Sequence, residues 1–238
     1  MARAVAPGAG AVRAAVTTYV RRACLLRDAS HGLEHAQRVR DTALELLKAI
    51  PDVVAAAAAA GLDAHGVIEA AALLHDVCDH KYVDEETEAG RLAIFERDGL
   101  LSMLLDASNA GAVKAIIAEV SYSREDKRAR NGLEPLWLAL DEPVRTLRHV
   151  VSDADKIDAL GASGLRRCFD FRAAHAGKAP AADAVADATP VDIQEVAQHC
   201  DEKLLRLLPL FIRTEAGKRL AQPAHDFMAD WRATIQAV

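Results

Sequence analysis

The stretch AALLHDVCDHKY, residues 71–82, closes a run from His65 that is apolar almost all round, with Val67, Ile68 and Ala70 to Leu74 leaving no polar stripe. Such a run predicts a helix over His65–Val77 that lies at the centre of the fold rather than on its surface. At its C-terminal end stand His75 and Asp76. A carboxylate desolvated there without a partner would cost several kcal/mol or take up a proton, so something must compensate it. A divalent cation does so directly, because it binds neutral imidazole and carboxylate together. Taken alone, the doublet is equally well read as a buried histidine satisfied by a neighbouring carboxylate.

On either side of this helix the periodicity stays helical. Apolar spacing predicts helices over Ala11–Leu26, Leu33–Ile50, Glu85–Glu96, Ala110–Val120, Pro143–Val151, Asp155–Ala174, Ile193–Ile212 and Glu215–Ala237. Ser30 is the expected N-cap of the second of these and Pro51 its stop. The Ala/Val-rich residues 52–62 fit either a helix or a low-complexity excursion. Two breaks, Ser123–Gly132 and Gly177–Pro190, read as surface loops, and no segment alternates like a strand. The expected fold class is all-α, a single helical bundle. Residues 1–10 are expected to form a flexible leader and residues 11–238 one domain, with no linker or internal repeat.

Composition agrees. Of 238 residues 51% are hydrophobic and 27% charged, enough to bury a sizeable core, while only 4% are aromatic, so packing falls to Ala, Leu, Val and Ile on helices. The net charge of -6 disfavours polymeric nucleic acid, whose binders display a basic stripe that releases counterions. A small anion is still accessible to a metal with a few local basic residues. Cys24, Cys78, Cys168 and Cys200 form no CxxC pair and read as buried thiols. The first residues lack the apolar core of a secretory signal, and no uncharged run reaches the roughly 20 residues needed to span a bilayer. The expected compartment is the cytoplasm, with no membrane partner.

One helix end offers two adjacent ligands, so a mononuclear site needs others from distant segments. Two qualify: SHGLEHAQRV at 30–39 and SDADKIDALGASG at 152–164. The resulting order His, His-Asp, Asp resembles the signature of the HD superfamily of metal-dependent phosphohydrolases. More closely, SHGLEHAQRV, LLHDVCDHKY, DADKIDALGASGLRRCF and HCDEKLLRL are similar to segments of small bacterial HD-domain hydrolases that include a nucleoside-triphosphate pyrophosphohydrolase, and the likeness runs from about residue 15 to 235.

The resemblance implies a ligand set. His35, rather than His31, is the first ligand, His75 and Asp76 the doublet, and Asp155, rather than Asp153, the last; Asp153 and Asp158 are its neighbours. Together they would hold one divalent ion, Mn²⁺ or Mg²⁺ foremost, with Co²⁺, Ni²⁺ and Fe²⁺ also compatible. Asp79 is the candidate general base. Lys81, Arg38, Lys156 and Arg167 are candidate phosphate clamps, Lys81 nearest the chemistry, and His31 and Lys203 candidates to line the pocket. The sequence departs from its relatives at Gly32, where they often carry Asp, and in the lengthened 52–62 connection, both of which would alter the pocket mouth.

The expected reaction is hydrolysis of a small nucleotide, from (deoxy)nucleoside triphosphate to monophosphate and pyrophosphate. A nucleotide or sugar phosphomonoesterase would use the same ligands. From another class come a catalytically silent nucleotide-binding module and a two-iron oxygenase; the intact ligand set weighs against the first and the single His-Asp doublet against the second. A Cys78 nucleophile lacks an orienting group. The GASG at 161–164 is no P-loop, and its glycines read as close helix packing. A homodimer is compatible with everything above.

Overall fold

The structure, a computed structural model, describes residues 9–24, 32–78, 88–175 and 189–236. Every regular element among them is helical, and the chain divides into two compact units, Met1–Ala154 and Asp155–Val238. The first contains α1 (Ala9–Ala23), α2 (Leu33–Lys48), α3 (Pro51–Ala59), α4 (Ala64–Leu74), α5 (Glu88–Arg97), α6 (Leu100–Leu104), α7 (Ala107–Glu119) and α8 (Tyr122–Arg130). A 3₁₀ turn at Leu136–Ala139 leads to α9 (Val144–Asp158), and the division falls within this helix. The second unit continues through α10 (Gly161–His175), α11 (Pro190–His199), a π turn (Cys200–Leu204), α12 (Leu205–Phe211) and α13 (Glu215–Gln236).

The apolar run is the central helix of its unit. Val67, Ile68, Ala71, Ala72 and Leu74 of α4 are fully buried, and α4 packs on α1, α2 and α7. Burying each Leu or Ile contributes about 1.5–3 kcal/mol, which holds this helix in place despite its low amphipathicity. Its one buried acid, Glu69, is paired with Arg13 of α1. The Ala-rich connection resolves as a helix, α3, begun by Pro51 at its first turn and ended at Gly61, whose φ of 74° is the left-handed conformation that favours glycine. No single helix among the described residues is long and apolar enough to cross a membrane; α3 and α4 pass that test only as a pair bent by 104°.

Three expectations are corrected. The N-cap of α2 is Gly32, not Ser30, which lies outside the described residues. The charged stretch Ser123–Gly132 is a helix, α8, rather than a loop. Its acids turn inward, where Glu125 meets Arg148 and Asp126 meets Arg130 four residues on at 2.8 Å, so its buried face is polar and shows no apolar period. The helices expected at Pro143–Val151 and Asp155–Ala174 are joined differently: α9 runs unbroken to Asp158, because the polar step Ser152-Asp153 is fully buried rather than exposed at a turn. The actual break comes at Gly161, with φ at 74°. Gly164 is required too, since a Cβ there would lie 2.0 Å from the Ala159 carbonyl oxygen. Most of the second expected loop, and the leader up to residue 8, lie outside the described residues.

A buried polar network ties α9 to its neighbours in the first unit. Arg148, 0% exposed, donates from Nε to the Glu119 carbonyl at the end of α7 at 2.7 Å and from Nη2 to Glu125 Oε2 at 3.1 Å. Trp137 Nε1 donates to the other oxygen, Oε1, at 3.1 Å, and the guanidinium lies over the Trp137 ring at 5.6 Å. Trp137 is therefore a packing residue. In the second unit α13 turns Gly217, Ala221 and Met228 inward and packs on α10, α11 and α12, with Trp231 edge-on to Phe169 at 6.2 Å.

Candidate metal centre

Two helix ends build the site. α2 places His35 in its first turn, and α4 ends at Leu74 with His75 as its C-cap and Asp76 in the turn that follows. Because α2 packs along α4, the two imidazoles meet although 40 residues separate them: His35 Nε2 lies 3.2 Å from His75 Nε2, with ring centroids 5.2 Å apart. Asp76 completes the group, with Oδ1 at 3.4 Å from His75 Nε2 and Oδ2 at 3.5 Å from His35 Nε2. Both histidines are buried, and the Asp76 side chain is 19% exposed.

These residues fit a divalent cation. His75 Nδ1 donates to the Ala72 carbonyl at 2.8 Å, which fixes the tautomer and leaves the Nε2 lone pair directed at His35 and Asp76. Ligand bonds of about 2.1 Å at angles between about 90° and 110° put neighbouring ligand atoms about 3.0–3.5 Å apart, the separations found here. One atom from each of the three residues falls within 4.8 Å of the others. The negative end of the α4 dipole also favours positive charge at this point. Without a cation, one imidazole would have to donate to the other across the 3.2 Å.

The remaining predicted residues are distributed as follows. His31, Asp79 and Lys81 lie outside the described residues. Arg38 is exposed on α2, one turn after His35. Asp155 is half-buried and opens the second unit, whereas Asp153 is fully buried at the end of the first. Lys156 is 2% exposed, unusual for an ammonium. Asp158 is held by Arg167, whose Nη1 donates at 2.8 Å and whose Nη2 donates to the Asp158 carbonyl, so that carboxylate is already neutralised. Lys203 is half-buried within the π turn. Sequence reasoning missed the Ala72 carbonyl; its only signal is that the last carbonyls of a helix seek donors, and a C-cap histidine can supply one.

An all-α fold that brings a His from one helix onto a His-Asp doublet ending another has the arrangement of an HD-type domain. The chain belongs to the family of Bacillus subtilis YpgQ, with which it shares 32% identity over 163 residues, 68% of this chain and 67% of that protein. The crystal structure of YpgQ in complex with ADP is similar with a TM-score of 0.59 at 22% identity, covering 96% of this chain and 95% of that one. That of an HD-superfamily hydrolase from Bacillus thuringiensis is similar with a TM-score of 0.58 at 24% identity, covering 96% of both chains. No protein-family model matches the chain.

Proposed function

We propose that this protein is a divalent-metal-dependent phosphohydrolase acting on a small nucleotide, cleaving a (deoxy)nucleoside triphosphate to monophosphate and pyrophosphate. The observation that carries the reading is the buried His35, His75 and Asp76 group, whose nitrogens and oxygens sit at ligand spacing with one imidazole tautomer fixed. The ADP complex of YpgQ and the naming of another structural neighbour as an HD-superfamily hydrolase support it.

His35, His75 and Asp76 would hold the cation, with Asp155 as fourth ligand by the resemblance. When bound, it supplies Lewis-acid polarisation of a phosphate oxygen and makes water acidic enough to react near neutral pH. The chain's own residues do the rest. The Ala72 carbonyl keeps His75 Nε2 unprotonated and ready to bind. Asp79 takes the proton of the attacking water. Lys81, Arg38, Lys156, Arg167 and Lys203 balance charge on the phosphate oxygens, and His31 lines the pocket. Mn²⁺ and Mg²⁺ suit this mixed nitrogen and oxygen set, with Co²⁺, Ni²⁺ and Fe²⁺ as alternatives.

The test is a screen of nucleotides and phosphoesters with Mn²⁺, Mg²⁺, Co²⁺ and Ni²⁺, reading pyrophosphate and orthophosphate separately. Pyrophosphate from triphosphates is the expected product; orthophosphate alone would make the protein a phosphomonoesterase, and no release with any metal would reduce it to a binding module. Within this reading Asp79→Asn should retain metal and fold while turnover falls about 10²- to 10⁴-fold, the usual contribution of a general base. Lys81→Ala should instead raise KM more than it lowers kcat. Wild-type turnover in Asp79→Asn with full metal would remove Asp79 from the mechanism and turn attention to His31.

A further inference from the structure

α13 carries two apolar faces, although one is enough to dock it. Inward, Gly217, Ala221 and Met228 are buried within the second unit. At about 100° per residue these three fall within about 40° of arc. A second group, Leu220, Pro223 and Phe227, falls within about 60° of arc and is turned about 110° away from the first. It stays open to solvent, with Leu220 37% and Phe227 47% exposed and Pro223 exposed between them. Leu220 and Phe227 stand two turns apart on one stripe, the spacing by which helices pack on one another. Single exposed apolar residues are ordinary, but a stripe at this spacing, on a helix already docked by its other face, marks a contact surface.

The charges beside the stripe say what covers it. Arg219, Asp226 and Asp230, all exposed, fall within about 40° of arc along one edge of it. The cation stands at the N-terminal end of this edge and the two acids at the C-terminal end. Arg219 and Asp230 enter no hydrogen bond or ion pair among the described residues, and Asp226 accepts from Gln222 Nε2 at 2.7 Å. Read backwards, the edge is complementary to itself. Two helices related by a twofold axis perpendicular to both run antiparallel and bring the same edge of each together. A uniformly acidic or uniformly basic partner would satisfy one end of the edge and repel the other.

We propose that the Leu220, Pro223 and Phe227 face of α13 is an interface with a second copy of this chain, the two helices lying antiparallel about a twofold axis level with the Pro223-Ala224 step. Such an axis puts Leu220 level with the partner's Phe227. Arg219 then lies, at 1.5 Å rise per residue, about 3 Å along the helix from the level of the partner's Asp226 on one side and of the partner's Asp230 on the other. The apolar side chains form the centre of the contact, and the charge pairing occurs twice at its rim.

The experiment is sedimentation velocity of the full-length protein over a concentration series, with circular dichroism to check that each variant keeps its helices. The wild type should be a reversible dimer that added salt weakens. Phe227→Glu should stay helical, because that side chain is half exposed, and should raise the dimer dissociation constant at least about 100-fold, as loss of a central aromatic anchor from both copies requires. Arg219→Asp turns both rim pairings repulsive and should raise it about 10-fold. The triple variant Arg219→Asp, Asp226→Arg and Asp230→Arg reverses both ends of the edge and should return the constant to within a few-fold of wild type. Where Phe227→Glu is recovered unfolded, Leu220→Lys makes the same test at the other end of the stripe. A wild-type chain that stays monomeric at every concentration would overturn the pairing and leave the face to a partner of another kind. A dimer unaffected by Phe227→Glu or Leu220→Lys in folded protein, or a triple variant no tighter than Arg219→Asp, would overturn it as well.

Discussion

Alanine in place of His75 should strip the protein of its divalent cation and of hydrolysis together. His75 contributes one of three ligand atoms and is the group whose tautomer the Ala72 carbonyl sets at 2.8 Å. Outer-shell partners of a metal ligand are worth about 10- to 100-fold in affinity, so removing the ligand itself should exceed that range. The variant should also be less stable in the absence of metal. Truncation removes the imidazole donor from the buried Ala72 carbonyl, at about 1–3 kcal/mol for an unsatisfied group. Equilibrium dialysis with metal analysis, beside a urea melt of the chelated protein, measures both. Asp76→Ala should lose metal likewise, but with a smaller change in apo stability because that side chain is 19% exposed. Unchanged metal content in both variants would defeat the ligand assignment.

Arg148→Ala should produce the largest loss of stability away from the metal centre. Its guanidinium is 0% exposed and is the shared partner of the Glu119 carbonyl, the Glu125 carboxylate and the Trp137 ring. Breaking a buried ion pair by deleting one member costs about 3–5 kcal/mol, because the other charge remains buried. Glu125 would keep only the Trp137 indole as a donor among these contacts, and α9 would lose its anchor to the ends of α7 and α8. Denaturant unfolding followed by tryptophan emission checks this, Trp137 reporting locally. Glu125→Gln should lose less, since the amide oxygen can still accept from Arg148 or Trp137. A loss below about 1 kcal/mol in Arg148→Ala would mean that the network is solvated in solution and contributes like a surface pair.

The helical class was legible because the run from His65 to Val77 is apolar almost all round, which a central helix accommodates. The meeting of His35 with the His75-Asp76 doublet was legible only through motif resemblance. Nothing local in SHGLEHAQRV states that α2 packs along α4. Polar burial hid the rest. α8 was read as a loop because its inward face is Glu125 and Asp126, and the helix expected over Pro143–Val151 stopped short of the Ser152-Asp153 step because buried polar residues look like exposed ones in sequence. The π turn has no periodic signature that a five-residue window could distinguish from α-helix. Among the acids near the last ligand, sequence could not tell that Asp158 is held by Arg167 while Asp155 is not its partner in that pair.

We propose that His35, His75 and Asp76 bind one divalent cation on which hydrolysis depends. The most direct measurement of this is calorimetric titration of Mn²⁺ into the chelated full-length protein, with pyrophosphate release from a nucleoside triphosphate assayed at each step. One high-affinity ion per chain is expected, lost in His35→Ala and His75→Ala, with activity that rises in parallel with its occupancy. Equal Mn²⁺ binding by wild type and both histidine variants, or full activity in the chelated protein, would contradict it.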